Sequence, residues 1–393
     1  MAAVLPLTGV IRPYAWGSRS AIAMLQGRTA PTDDPEAELW LGAHPGDPST
    51  VTTGDGPVSL DALIAEDPKA QLGAEAVEEY GARLPYLMKV LAAEAPLSLQ
   101  AHPDAEYAKQ AFAAQQANPD APKNYTDAYH KPEMLVALTE FDALCGFRDP
   151  AAAAKDLRDL GIERLGPVVA ALNTGTEGLA EAVRTLLTWP AEDRATLVEE
   201  VVTAGTSPLA ASLAEHYPGD PGVLVALLLN QVRLQPGEAI WMPAGNLHAY
   251  LKGSGVEIMA ASDNVLRGGL TPKRVDVDEL LRVLRFEVLD DPIVPATQER
   301  PGVTTWQVPA REFALYRLTL GPATPPVSLP PSGPRIALGT EGEVHVAEAV
   351  DGTPVEVSAG KAAYLPAETG AATAAGVGEI FVAAVGVEGG LVD

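Results

Sequence analysis

Apolar residues in the first part of the chain come in short runs broken by Gly, Pro and Asp, a pattern of strands and turns. Residues 84–91 (LPYLMKVL), 96–102 (PLSLQAH) and 131–138 (KPEMLVAL) predict strands, and 60–80 and 104–116 predict helices between them. At Asp149 the texture changes. Asp149-Pro150 reads as an N-cap followed by a proline in the first turn, leading into AAAAKDLRDLG with a glycine stop. The device recurs at Ser207-Pro208 and Asp220-Pro221, with 178–187 and 191–204 helical between them, so 150–232 read as an Ala- and Leu-rich helical block. After Leu234 the β pattern returns through Gln235-Pro236-Gly237, and 276–289 predict a short acidic helix or linker. Beyond Pro292, short runs rich in Val, Thr, Pro and Gly suggest a sandwich or barrel.

The organisation expected is therefore mainly β with an α-helical insertion. Residues 1–149 begin a first β domain, 150–232 interrupt it, 233–275 complete it, and 276–393 hold a linker helix and a second β domain. A weak repeat links the two β domains. Residues 237–248 (GEAIWMPAGNLH) follow G-x5-P-x-G-x2-H, and 360–366 (GKAAYLP) repeat the opening. In the second copy Glu368 stands at the glycine position and Ala371 at the histidine position, so one site is expected, not two.

Alternate side chains of a strand share a face. Ser98, Gln100 and His102 then point one way while Leu97, Leu99 and Ala101 point the other. Lys131 and Glu133 are likewise two apart, as are His248 and Tyr250, with Lys252 following. If three such strands line one interior, Gln100, His102, Glu133 and His248 offer two imidazoles, a carboxylate and a neutral amide oxygen. That set suits a borderline divalent ion such as Zn²⁺ with open positions for substrate. Two His and a carboxylate also suit Fe(II), so a cupin-type oxygenase is an alternative, as is a non-catalytic sugar-binding protein. His44, beside Pro45, reads as a turn or core residue and not as a ligand.

Charge narrows the partners. Lys and Arg total 27 against 52 Asp and Glu, a net charge of −25. Such a surface repels nucleic acid and anionic membranes, and binding an anionic metabolite requires a local cluster of cations. Arg267, Lys273 and Arg274 form one, to which Lys89 and Ser98 add polar contacts, with Arg274 assigned to balancing Asp276, Asp278 and Glu279. The lone Cys145 fits a reducing cytosol. The opening MAAVLPLTGVIRPYAW lacks the basic start of a signal peptide, and the longest apolar run, 223–229, is too short to span a membrane. A cytoplasmic protein with a small-molecule ligand, and no obligate protein partner evident, is expected.

Longer motifs carry a resemblance. PLSLQAHPD (96–104), YHKPEM (129–134), MPAGNLHAYLKG (242–253) and EIMAASDNVLRGGLTPK (257–273) resemble type I mannose-6-phosphate isomerases. ELWLGAHPGDPS (38–49) and LPYLMKVL fit as well, in order across nearly all of the first 275 residues. The resemblance implies two cupin-type (jelly-roll) β-barrels with a helical insertion in the first. It implies one Zn²⁺ per chain on Gln100, His102, Glu133 and His248, with Arg267 as the active-site arginine. Lys89, Lys131, Tyr250, Glu257, Asp263 and Lys273 match residues that line the pocket. The implied reaction interconverts mannose 6-phosphate and fructose 6-phosphate through a cis-enediolate, with the metal polarising O1 and O2 and no redox cofactor. Lys131 is the first candidate for the base, because burial beside a metal disfavours an ammonium; the alternative is that it stays charged and neutralises substrate. Glu257 is the other candidate base, and His130 with Asp263 are candidates for ring opening.

Overall fold

The thirteen residues His248–Ala260 form the central strand of the first of two sheets. This computed structural model describes residues 4–120, 122–330, 333–350 and 352–386. At Gly253 the central strand changes partners. The φ there is 125°, open to glycine without strain, and a Cβ would stand 2.6 Å from the Glu140 carbonyl. Ahead of Gly253 the strand pairs with Phe141–Phe147 and Leu99–Ala101, and from it onward with Tyr86–Ala93 and Glu133–Ala137.

Five strands of this sheet run in the order Glu38–Leu41, Tyr86–Ala93, His248–Ala260, Glu133–Ala137, Ala239–Met242. The second sheet repeats the order with Val303–Trp306, Ala314–Leu320, Ala372–Ala384, Arg335–Glu348, Ala362–Leu365. Gly237 and Gly360 occupy the same place in each, at φ 89° and 75°. Each opens a four-residue strand, then a proline turn, then a thirteen-residue strand. The interiors differ. Where Lys89 faces Glu257 in the first sheet, Leu318 faces Ile380 in the second, both buried in an apolar cluster with Val344, Val346 and Val382.

The sheet membership of the N-terminal residues departs from the sequence expectation. Leu5–Thr8, Thr50–Thr53 and Gly56–Ser59 extend the second sheet beyond Ala362–Leu365 and cover its edge. Leu7 and Val51 bury between the sheets, a long-range pairing that no local pattern encodes. The helix expected over 60–80 is three: Leu60–Glu66, Pro68–Leu72 and Ala74–Tyr80. Asp67, preceding proline, is held at φ −145°, ψ 81°, and Gly73 takes φ 86°.

The helical block comprises Pro150–Asp159, Gly166–Leu172, Leu179–Leu187, Ala191–Thr203, Pro208–His216 and Gly222–Val225. Asp149 and Ser207 cap their helices by accepting from the amides of Ala151 and Ala210. The block ends earlier than expected, because Leu229–Leu234 is a strand paired with Phe141–Phe147. Its apolar faces bury with Leu99, Ala101, Ala249 and Leu266, behind the strands that carry the site. The back of the other half-sheet (Val90, Val136, Val256, Ile258) packs against Trp306, Leu315, Ile336 and Phe381 of the second sheet. At ~1.5–3 kcal/mol per buried large apolar side chain, these two cores hold the strands rigidly enough to bury charge on their opposite face.

Candidate metal centre

Strand register gathers polar residues that are far apart in the chain. Lys89 lies opposite both Glu257 and Trp40, so these three share a face, and Glu38 is two residues before Trp40 on the same side. Glu133 lies opposite Met259, two residues beyond Glu257, and joins that face. In the other half-sheet Gln100 lies opposite both His248 and Arg267. The turn of the central strand at Gly253 brings the two faces together, and Tyr250 closes them by donating to Glu257 Oε1 at 2.9 Å.

Two hydrogen bonds decide what the imidazoles offer. His102 Nδ1 lies 2.7 Å from the Asn264 carbonyl and His248 Nδ1 lies 3.0 Å from that of Asn246. A carbonyl only accepts, so each Nδ1 carries the proton and each Nε2 presents a lone pair. Those Nε2 atoms stand 3.4 Å and 3.3 Å from Glu133 Oε2. All three atoms are buried and have no hydrogen-bond partner. Three converging lone pairs without a proton are costly in a dry interior, and a bound cation removes that cost. His102, Glu133 and His248 are also the one group of His, Cys, Asp or Glu among the described residues placed to hold an ion, with ligand atoms within 4.8 Å of one another.

Protonation states agree. Burial pushes the His102 imidazole down to about 4, leaving it neutral. Burial opposes ionisation of Glu133, but the Lys131 ammonium, 3.0 Å from Oε1, counters it, and the carboxyl is held well below its usual range. Nitrogen, nitrogen and carboxylate donors, with the Gln100 amide adjacent in register, fit Zn²⁺.

The centre borders a cavity of about 760 Å³, which Gln100 and Glu133 line while His102 and His248 lie behind its wall. Lys89 Nζ is 3.0 Å from Glu257 Oε2 and 3.7 Å from Glu38 Oε1. Burial disfavours its ammonium, yet Glu257, Glu38 and Glu133 together raise it above its ordinary value. The Glu257 carboxyl is also raised, by burial first, with Glu133 and Glu38 opposing the pull of Lys89. Two buried lysines thus face three buried carboxylates, and a divalent ion reverses that deficit. Half-buried Arg267 also lines the cavity; its side chain makes no hydrogen bond or ion pair among the described residues, and burial lowers its pKa while it stays charged.

Lys89, Ser98, Gln100, Lys131, Glu133 and Tyr250 line the cavity, as do Glu257, Asp263, Arg267 and Lys273. His130 does not. Its Nε2 lies 2.5 Å from Glu312 Oε1 beside the second sheet, which corrects its pairing with Asp263. The imidazole that meets Asp263 is His44, with Nε2 3.3 Å from Oδ2. Its Nδ1 accepts from the Gly46 amide, so Nε2 carries the proton toward the carboxylate. His44 is buried, in keeping with the core half of its turn-or-core reading, and it also lines the cavity. A bulge after Tyr250 turns Lys252 outward onto Glu94, and Arg274 pairs with Asp276. Glu38 and Trp40, whose Nε1 donates to Glu38 Oε2 at 2.7 Å, join the site although the sequence motifs give them no role of their own. The readable signal was a glutamate alternating with tryptophan inside an apolar strand.

Known proteins with this geometry decide the family. Residues 4–150 match the profile of the catalytic domain of type I phosphomannose isomerase. The mannose-6-phosphate isomerase of Salmonella typhimurium is 34% identical, aligned over 95% of this chain and 97% of its own length. Mannose-6-phosphate isomerase 1 of Arabidopsis thaliana is 33% identical over 91% of this chain and 88% of its own. The chain belongs to the type I mannose-6-phosphate isomerase family. Among solved structures, a variant of the Salmonella typhimurium phosphomannose isomerase aligns at a TM-score of 0.90 and 32% identity, covering 98% of this chain and 100% of the other. A zinc-bound mannose 6-phosphate isomerase aligns at 0.87 with the same identity and coverage. This member of the mannose-6-phosphate isomerase family therefore shares its fold with zinc-bound relatives along nearly its whole length.

Proposed function

We propose that this chain interconverts mannose 6-phosphate and fructose 6-phosphate with one zinc ion held by Gln100, His102, Glu133 and His248. The observation that carries the reading is the set of three buried, proton-free lone pairs on His102, Glu133 and His248, beside a cavity with an unpaired arginine. When bound, zinc supplies a Lewis acid for the sugar oxygens O1 and O2.

The chain's own groups divide the remaining work. Arg267, Lys273 and Ser98 receive the phosphate dianion at the mouth, a cationic spot in a chain of net charge −25. Lys89 keeps its proton between Glu257 and Glu38 and orients the sugar hydroxyls. Lys131, once it gives up the proton it shares with Glu133 Oε1, is the first candidate to move the proton between the two carbons at Nζ. If it stays an ammonium it neutralises substrate charge, and Glu257, held at Oε1 by Tyr250, takes the proton instead. Ring opening falls to Asp263 with His44 in place of His130. The finer architecture belongs to the same reading: two cupin-type jelly-roll domains, the first built from 1–149 and 233–275 around the insertion 150–232, the second from 276–393. Support for it is the strand order repeated in the two sheets; Leu5–Thr8, Thr50–Thr53 and Gly56–Ser59 are then assigned to the second domain, and 387–393 lie outside the described residues. A cytoplasmic setting rests on the single, buried cysteine.

A coupled assay with mannose 6-phosphate tests the activity in metal-replete, chelator-treated and zinc-restored protein. Conversion should vanish with chelator and return with zinc; no conversion by the metal-replete protein overturns the proposal. Lys131→Met should stop exchange of the C2 hydrogen with solvent while Glu257→Gln retains it, and the opposite result transfers the role to Glu257.

A further inference from the structure

The two imidazoles at the metal centre find their Nδ1 acceptors in different ways. His248 uses the carbonyl of Asn246, two residues earlier, which the turn into its own strand holds in place. His102 uses the carbonyl of Asn264, 162 residues away. The pairing of Leu266 with Ala101 brings that acceptor alongside His102, the Asn264 amide donates to Ser262 Oγ, and a further contact anchors the turn that carries it.

The side chain of Asn264 supplies it. It is fully buried, and its carboxamide is bonded at both ends. Oδ1 accepts from the Thr126 amide at 2.9 Å. Nδ2 donates to the Asp127 carbonyl at 2.9 Å, Asp127 Oδ1 at 3.1 Å and the Tyr129 carbonyl at 2.8 Å. Residues 126–129 lead directly to Lys131 and Glu133, and Asn264 itself stands three residues before Arg267. One amide thus joins three approaches to the cavity: the acceptor of His102, the loop entering the strand of Glu133, and the strand of Arg267.

We infer that Asn264 is a positioning residue of the metal centre, fixing the tautomer and aim of His102 through its carbonyl and the entry of Glu133 through its carboxamide. The inference rests on the metal reading above and concerns how the ligands are held. A hydroxyl, carboxylate or methyl cannot replace Asn264, because the loop presents donors to one end of the group and acceptors to the other.

Cobalt titration tests it, with Co²⁺ as a visible probe and a competing chelator to measure affinity. Wild type should bind one Co²⁺; if it binds none, the metal reading fails and not this inference. Asn264→Ala and the near-isosteric Asn264→Asp should each weaken Co²⁺ binding roughly 10- to 100-fold, the usual effect of losing a partner that orients a ligand. The visible band should also broaden, and the rise in Tm on adding metal should shrink. A purely structural role would lower the Tm of metal-free and metal-loaded protein alike and leave affinity and spectrum unchanged. Wild-type affinity in both variants, or failure of both to fold, overturns the inference.

Discussion

Lys89→Met removes the cation that two buried carboxylates share. With an effective dielectric constant of about 20, the 3.0 Å contact to Glu257 is worth roughly 5 kcal/mol of Coulomb attraction, and the 3.7 Å contact to Glu38 somewhat less. Much of that offsets the cost of burying the ammonium, several kcal/mol. Methionine fills the same volume but leaves the carboxylates facing each other, so the net loss should be about 3–5 kcal/mol at neutral pH. The pH dependence follows from Glu257, whose carboxyl is raised above its unfolded value of about 4.3. A raised group contributes stability at acid pH that is lost as pH rises through its folded value. Removing Lys89 raises Glu257 further, so the deficit should shrink as pH falls toward about 4.3. Urea unfolding of metal-free protein, followed by circular dichroism at neutral and acid pH, reads both effects. Lys89→Met/Glu257→Gln should recover part of the loss, because one buried anion has gone with the cation. A single variant within ~1 kcal/mol of wild type, or a double variant costing the sum of the singles, would refute the charge balance described for this cavity.

Arg267→Ala should lower turnover roughly 10²- to 10³-fold while zinc content by atomic absorption is unchanged; loss of zinc would place the arginine in the metal site and not at the phosphate. Gly269→Ala should cost several kcal/mol and lower the Tm clearly, because φ is 120° and the new Cβ would stand 2.5 Å from Gly222 Cα. Gly27→Ala, at φ 64° with open space around it, should cost only ~1–2 kcal/mol. Burial pushes the Cys145 thiol up to about 12, so thiol reagents at mildly alkaline pH should label it only after unfolding; rapid labelling of the folded chain would contradict that burial.

Legibility followed distance along the chain. The cap at Asp149-Pro150, the cap at Ser207-Pro208 and the alternation of Ser98, Gln100 and His102 are local, and the structure contains each. The same alternation buries Leu99 and Ala101 against the helical block, as the apolar face requires. Glu38 was harder to read, since its role depends on a lysine 51 residues later in an adjacent strand. His44 and His130 are both histidines beside loop residues. Only packing separates the one against Asp263 in the cavity from the one against Glu312 outside it.

By itself the sequence determined most of the elements (though not the breaks at Asp67 and Gly73 or the strand at Leu229–Leu234), the helical block, the duplicated G-x5-P unit and the four candidate ligands, because caps, turns and side-chain alternation act over a few residues. Tertiary structure decided which of those residues meet. Register set Lys89 against Glu257, the turn at Gly253 folded two strand faces onto one cavity, and the N-terminal strands joined the second sheet. It also decided the chemistry each imidazole presents. The free lone pair of His102 depends on an acceptor 162 residues away, a contact made when buried backbone groups find partners across the fold.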